Sequence, residues 1–134
     1  MIRLQDMMNK TQYAFLIVKP GSLEHTPEIL KMYEEIGWKV ARIRTTRLQP
    51  EQARELYSPH KNKDFFKDLV NYMSSGLSTG ILITRPGNPN DKYLEGVAAI
   101  KDEVRKKWGE SDMRNVLHST DNTKRLKTES GIYF

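Results

Sequence analysis

The chain is expected to fold as an α+β sandwich of the ferredoxin-like kind, an antiparallel β-sheet with helices on one face. Two observations predict this. Four short segments with strand character alternate with segments of helical periodicity, in an order near β-α-β-α-α-β-α-β-α. In addition, 134 residues without an internal repeat or low-complexity tract are most simply one domain, large enough to bury a core. Residues 1–11 read as a flexible leader, and 12–134 as the folded domain.

The elements follow in order. "QYAFLIVK" (12–19) has the length and continuous apolarity of a buried strand, and Pro20 and Gly21 stop it. Over 26–37, Ile29, Met32, Tyr33 and Ile36 recur at helical spacing, with Gly37 placed to end the helix. "WKVARIRTTRL" (38–48) alternates as a half-exposed strand. Pro50 and Glu51 open a helix through Leu56 and Tyr57. Asp64 is placed to cap the next, whose apolar face is Phe65, Phe66, Leu69, Val70 and Met73, ended by Gly76. "STGILIT" (78–84) is the third strand and "RPGNPND" a breaker run. A helix over 92–108, a short strand "NVLH" and a helix over 121–129 complete the chain. Ser119, Thr120 and Asp121 are its candidate caps.

Composition narrows the chemistry. Twenty-two Lys and Arg against 17 Asp and Glu give +5, with a pI near 9.4, a surplus that favours anionic partners. With no cysteine, disulfides, thiolate metal sites and thiol nucleophiles are excluded. The apolar runs "YAFLIV" and "GILI" are too short to span a bilayer, and the N-terminus lacks the apolar core of a signal peptide. A cytoplasmic protein with no membrane partner is expected. There is no Walker-type phosphate loop or G-x-G-x-x-G, and His25, His60 and His118 show no metal-ligand spacing. An RNA-recognition module shares the strand order, but its strand aromatics are missing, so nucleic acid is not the expected partner.

Singly, the chemically interesting residues have ordinary explanations. Lys19 ends a buried strand, Arg105 belongs to the basic run "RKKW", and Tyr57 and Phe65 suit a core. Glu129 reads as a surface carboxylate, and His118 as the last residue of a strand before a helix cap.

Taken together they resemble the nucleoside diphosphate kinase family. "FLIVKPG" resembles the family's first strand with its lysine-proline turn, and "LYSPHKNKDFFKDLVNYMSSG" the segment with its tyrosine and paired phenylalanines. "RNVLHSTD" resembles the stretch around the phosphorylated histidine, and "ESGIYF" the family's ending. The resemblance spans residues 12–134. The separations between Tyr57 and Phe65, Arg105 and Asn115, Asn115 and His118, and His118 and Glu129 all keep the family's values.

The resemblance implies an enzyme that moves the γ-phosphoryl group of ATP, or of another nucleoside triphosphate, to a nucleoside diphosphate in two half-reactions. It implies His118 as nucleophile, Glu129 as the carboxylate fixing its tautomer, and Thr120 as the hydroxyl bracing Glu129. Lys19, Tyr57 and Arg105 would hold phosphate oxygens, Lys19 and Asn115 would reach the ribose, and Phe65 would stack on the base. Mg²⁺ would enter on the phosphates, without a protein-built metal site, and the chain would form a homo-oligomer, a dimer at least.

The sequence also departs from the family. "RPGNPNDKYLEGVAAIKDEVR" is several residues shorter than its counterpart and lacks an arginine and a threonine that touch phosphate there. Arg85, Lys92 and Lys106 are the candidates to replace the arginine. One lost charge-assisted contact costs roughly 1.5–3 kcal/mol, about one to two powers of ten in rate. Gly21 replaces an aspartate, and Asp112 stands where a small apolar residue covers the base. The alternative reading is a catalytically weak nucleotide- or protein-binding module on the same fold.

Overall fold

The computed structural model describes residues 10–134. The first nine positions of the expected leader lie outside the described residues, and Thr11 already belongs to a strand. Among the described residues there are four strands: β1 (Thr11–Val18), β2 (Lys39–Thr46), β3 (Ser78–Pro86) and β4 (Leu117–Ser119). Five α-helices alternate with them: α1 (Thr26–Glu34), α2 (Pro50–Leu56), α3 (Phe66–Met73), α4 (Leu94–Trp108) and α5 (Thr123–Tyr133). The sheet order is β2-β3-β1-β4, with every neighbouring pair antiparallel, as the ferredoxin-like reading expects. Among the described residues, no helix is long and apolar enough to cross a membrane.

The helices cover both faces of the sheet, where the sequence reading placed them on one. Ala14, Leu16 and Val18 pack with Ile29 and Tyr33 of α1 and Val97 and Val104 of α4. Phe15 and Ile17 point the other way and pack with Ala53 and Leu56 of α2, Leu69 and Val70 of α3, and Tyr133 of α5. The cause is the unbroken run in "AFLIV", all five fully buried. A strand apolar on both sides needs cover on both sides.

Local signals explain most element ends. Pro50 occupies the first turn of α2, where Gln52 Oε1 accepts from the Gln49 amide at 2.8 Å in the manner of a capping box. Gly37 takes a left-handed φ of 95° after α1, a conformation glycine adopts without a Cβ penalty. Two expected caps differ. Phe65, not Asp64, precedes α3, and no side chain caps it. Asn122, not Ser119, Thr120 or Asp121, caps α5, its Oδ1 accepting from the Arg125 amide at 3.0 Å. Ser119 is still in β4, and the Thr120 hydroxyl is spent on Glu129. Helix α5 continues past the expected end at 129 because Tyr133 is anchored in the core, its hydroxyl 2.5 Å from Ser78 Oγ.

Gly80 makes room for that anchor. A Cβ built on it would lie 2.5 Å from Tyr133 Cγ. Gly80→Ala is therefore expected to destabilise the fold by about 1–3 kcal/mol through overpacking. A chemical denaturation midpoint equal to wild type would show that the ring relaxes freely.

Candidate active site

The end of β1, the C-termini of α2 and α4, the turn before α3 and strand β4 meet around a cleft of about 450 Å³. Lys19, Tyr57, Phe65, Arg105, Asn115 and His118 all line it. Six residues spread over a hundred positions thus come together in one cleft. Glu129 and Thr120 stand behind them, buried.

Lys19 is placed by its strand. Its amide donates to Val116 O at 2.8 Å, so the side chain leaves β1 where β4 begins. Its Nζ donates to Asn115 Oδ1 at 2.7 Å, and Asn115 Nδ2 donates to Asp112 O at 2.7 Å. Burial, reinforced by the positive charges of Arg105 and Lys101, pushes the Lys19 ammonium down to about 7. Arg105 is fixed from α4 by Nε donating to Leu117 O at 3.0 Å, which leaves its remaining guanidinium donors for the cleft.

His118 lies on β4 opposite Ile17 of β1. The strand begins two residues later than expected because Val116 adopts φ 77°. With Leu117 N bonded to Asn115 O at 2.9 Å, it forms a tight three-residue γ-turn. A β-branched residue there is strained. The turn separates Asn115 from His118 along the chain yet brings both side chains into one cleft.

The His118 ring is bonded through Nε2 to Glu129 Oε1 at 2.6 Å. Thr120 Oγ1 donates to the same oxygen at 2.9 Å, and Arg125 Nε approaches Oε2 at 3.4 Å. Burial works to raise the Glu129 carboxyl, but the hydrogen bond and charge of His118, with Thr120 and Arg125, outweigh it and hold the group below its ordinary value. Burial also pushes the His118 imidazole below its ordinary value, against the opposing pull of Glu129. The pair therefore rests as a neutral ring beside a carboxylate. Nε2 keeps the proton, and Nδ1 is left with a free lone pair.

Two polar atoms of the cleft residues are buried without a protein partner, the hydroxyls of Tyr57 and Ser119. Tyr57 also meets the His118 ring edge-on at 5.7 Å between centroids, and burial pushes its phenol above the ordinary range. Phe65 is half exposed at the rim, near His60. Asp112 lines the cleft, as its place in the sequence suggests.

None of the residues suggested to replace the family's arginine lines this cleft. Arg85 lies over the Trp38 ring and donates to Gln12 Oε1 and Ile36 O. Lys106 borders a neighbouring depression, and Lys92 precedes α4. The further cation on the cleft wall, beside Lys19 and Arg105, is Lys101. Its signal was available, since Lys101 precedes Arg105 by one helical turn and shares its face. The same spacing relates Arg125 to Glu129. Nothing in a valine announces the turn at 116.

An imidazole with one free nitrogen, its far side held by a buried carboxylate and its near side facing cations, is equipped to attack an anionic group, chemistry that suits the phosphotransferase class. The comparisons with known proteins give this class its family. The profile described as "Nucleoside diphosphate kinase" matches residues 12–134. Nucleoside diphosphate kinase 1 of Protochlamydia amoebophila is 32% identical over 127 residues, covering 88% of this chain and 89% of that protein. The enzyme of Fervidobacterium nodosum is 30% identical over 132 residues, covering 90% and 86%. The crystal structure of Aquifex aeolicus nucleoside diphosphate kinase superposes with a TM-score of 0.80 over 92% of this chain and 95% of that one, at 24% identity, a likeness of fold. The chain belongs to the nucleoside diphosphate kinase family.

Proposed function

We propose that the chain acts as a nucleoside diphosphate kinase through a phosphoryl group carried on His118. The observation that supports this best is the 2.6 Å Nε2–Glu129 contact, which commits one ring nitrogen and leaves Nδ1 as the nucleophile. In the first half-reaction Nδ1 forms a bond to the γ-phosphorus of ATP or another nucleoside triphosphate, and the bond to the β-phosphate oxygen breaks. The nucleoside diphosphate leaves with that electron pair. In the second half-reaction a different diphosphate attacks the phosphohistidine, and the electrons return to Nδ1. No proton has to move, because Nε2 keeps its hydrogen throughout and Glu129 balances the positive charge that the ring gains.

Lys19, Tyr57 and Arg105 hold the phosphate oxygens in line and offset their charge, the main requirement of phosphoryl transfer. The partnerless Tyr57 hydroxyl finds its acceptor there. Asn115 and Lys19 meet the ribose, and Phe65 offers its exposed face to the base. Thr120 braces Glu129. Stacking is tolerant of base identity, so broad specificity is expected. Among the described residues, no three His, Asp or Glu side chains are grouped to hold a metal ion. Mg²⁺ would arrive on the nucleotide's phosphates, as the resemblance implies, and Asp121 is a carboxylate on the cleft wall. When bound, that ion screens phosphate charge. The reading places the chain in the cytoplasm, where nucleoside triphosphates are made and used.

The test is to incubate the protein with ATP and Mg²⁺, then measure its intact mass. One acid-labile phosphoryl group should appear and be lost on a chase with other nucleoside diphosphates. A protein that binds nucleotide and takes up no phosphoryl group would contradict the enzyme reading.

A homodimer belongs to the same proposal. Strand β2 is an edge strand, with Val40 and Ile43 exposed along it and Ile36 and Leu77 exposed elsewhere. An unpaired edge with apolar residues favours pairing with a second copy. Light scattering is expected to give a dimer or larger assembly, and Ile43→Lys a shift toward the monomer. A monomeric wild type at micromolar concentration would overturn this.

A further inference from the structure

We infer that Lys101 is a ligand of the nucleotide's phosphate chain, a third cation in the cleft beside Lys19 and Arg105; this deepens the kinase reading and rests on it. Lys101 reaches the cleft from α4, one turn before Arg105. Its side chain is only 12% exposed, so most of it is withdrawn from solvent against the cleft wall. Its ion-pair partner is Asp121 at 3.6 Å, a carboxylate whose side chain is 78% exposed. An exposed carboxylate at that distance does little to hold the lysine in place.

Its other neighbours make its position less favourable still. The charge of Lys101 acts on Lys19, adding to the effect of burial and of Arg105. It also disfavours a protonated His118. Like charges one turn apart on a helix repel. Lys19, Lys101 and Arg105 therefore face one cleft whose acidic lining residues are Asp112 and Asp121. Three cations against two carboxylates leave the cleft wall positive, which favours a polyanion.

A phosphate chain lying between Lys19 and His118 supplies that anion. Charge-assisted contacts from Lys101 to its oxygens would strengthen as charge builds at the transferring group. The tie to Asp121 is weak enough to give way.

The test compares Lys101→Met, which keeps the stem, with Lys101→Arg, which keeps the charge. Thermal melting first confirms that both are folded. Phosphoenzyme formation from Mg-ATP is followed by rapid quench, and binding of ADP and of adenosine by calorimetry. For Lys101→Met, kcat/KM for phosphoenzyme formation is expected to fall roughly 10- to 100-fold, with ADP affinity reduced. Adenosine affinity should be unchanged, a selectivity that a merely structural role would not produce. Lys101→Arg should stay within about threefold of wild type, since a charge-assisted contact survives. If Lys101→Met matches wild type in both rate and ADP affinity, the inference is overturned. If the wild type forms no phosphoenzyme, the kinase reading fails instead. ADP binding then decides on Lys101, and equal affinity in Lys101→Met overturns it.

Discussion

His118→Asn is expected to abolish the acid-labile phosphoenzyme and to lower kcat/KM by roughly 10⁴-fold or more, the scale on which removal of a covalent nucleophile acts. The effect is so large because each half-reaction passes through Nδ1, and the substituted amide offers no comparable lone pair. Nucleotide binding should survive, because Lys19, Arg105 and Asn115 are placed by β1, α4 and the turn at Val116, independently of the imidazole. Calorimetry with ADP should thus give an affinity within a few-fold of wild type. The variant also leaves Glu129 with Thr120 and Arg125 as partners, so the carboxylate stays paired and the fold is expected to hold. Two hydroxyls lie close by in sequence, at Ser119 and Thr120. Any acid-stable label remaining in His118→Asn would show that one of them accepts the phosphoryl group, and the assignment of the nucleophile would fall.

How far the sequence foretold this site depends on which physical signal each part carries. The six residues lining the cleft were legible only through the family resemblance, whose motifs stand in order and in register along the chain; singly, each had an ordinary structural explanation. The strand-helix alternation reflects periodicities of two and 3.6 that any chain must show. The two-sided cover of the sheet was written in "AFLIV", five residues buried on both faces, yet the expectation of helices on one face followed the strand order and not that run. Details set by tertiary choice were not legible. Asn122, rather than three equally good neighbours, caps α5 because Ser119 extends β4 and Thr120 is drawn to Glu129. Val116 takes a left-handed φ against its own preference because the turn must join Asn115 to β4. Lys101 was passed over for Arg85, Lys92 and Lys106, although its place one turn before Arg105 puts it on the same helix face. Of the four, Lys101 is the one on the cleft wall.

Lys19→Met is expected to separate stability from activity, with opposite signs. The Lys19 ammonium is pushed by burial from its ordinary 10.5 down to about 7. Below about pH 7 the folded and unfolded chains both bind the proton, and folding bears the full cost of burying the charge. Between about 7 and 10.5 the folded chain sheds it while the unfolded chain keeps it, so wild-type stability should rise with pH across that window. Methionine removes the charge at every pH. The variant should therefore gain most over wild type near pH 6, on the order of a few kcal/mol at most. The gain should shrink toward pH 10, and is reduced throughout by the Asn115 Oδ1 left without its donor. Denaturation midpoints at the two pH values measure it. Activity should move the other way, with kcat/KM for ATP falling roughly 10²-fold or more, because a central phosphate ligand is gone. The same titration shapes the wild-type profile. kcat/KM should decline as pH rises through about 7, where free Lys19 loses its charge, and as pH falls below the depressed pKa of His118, where the nucleophile is protonated. Bound phosphate stabilises the ammonium, so the alkaline limb of kcat should lie above that of kcat/KM. Coincident limbs, or a Lys19→Met chain less stable than wild type at pH 6, would mean that the hydrogen bond to Asn115 already offsets the buried charge, and that the site is not held under strain for its substrate.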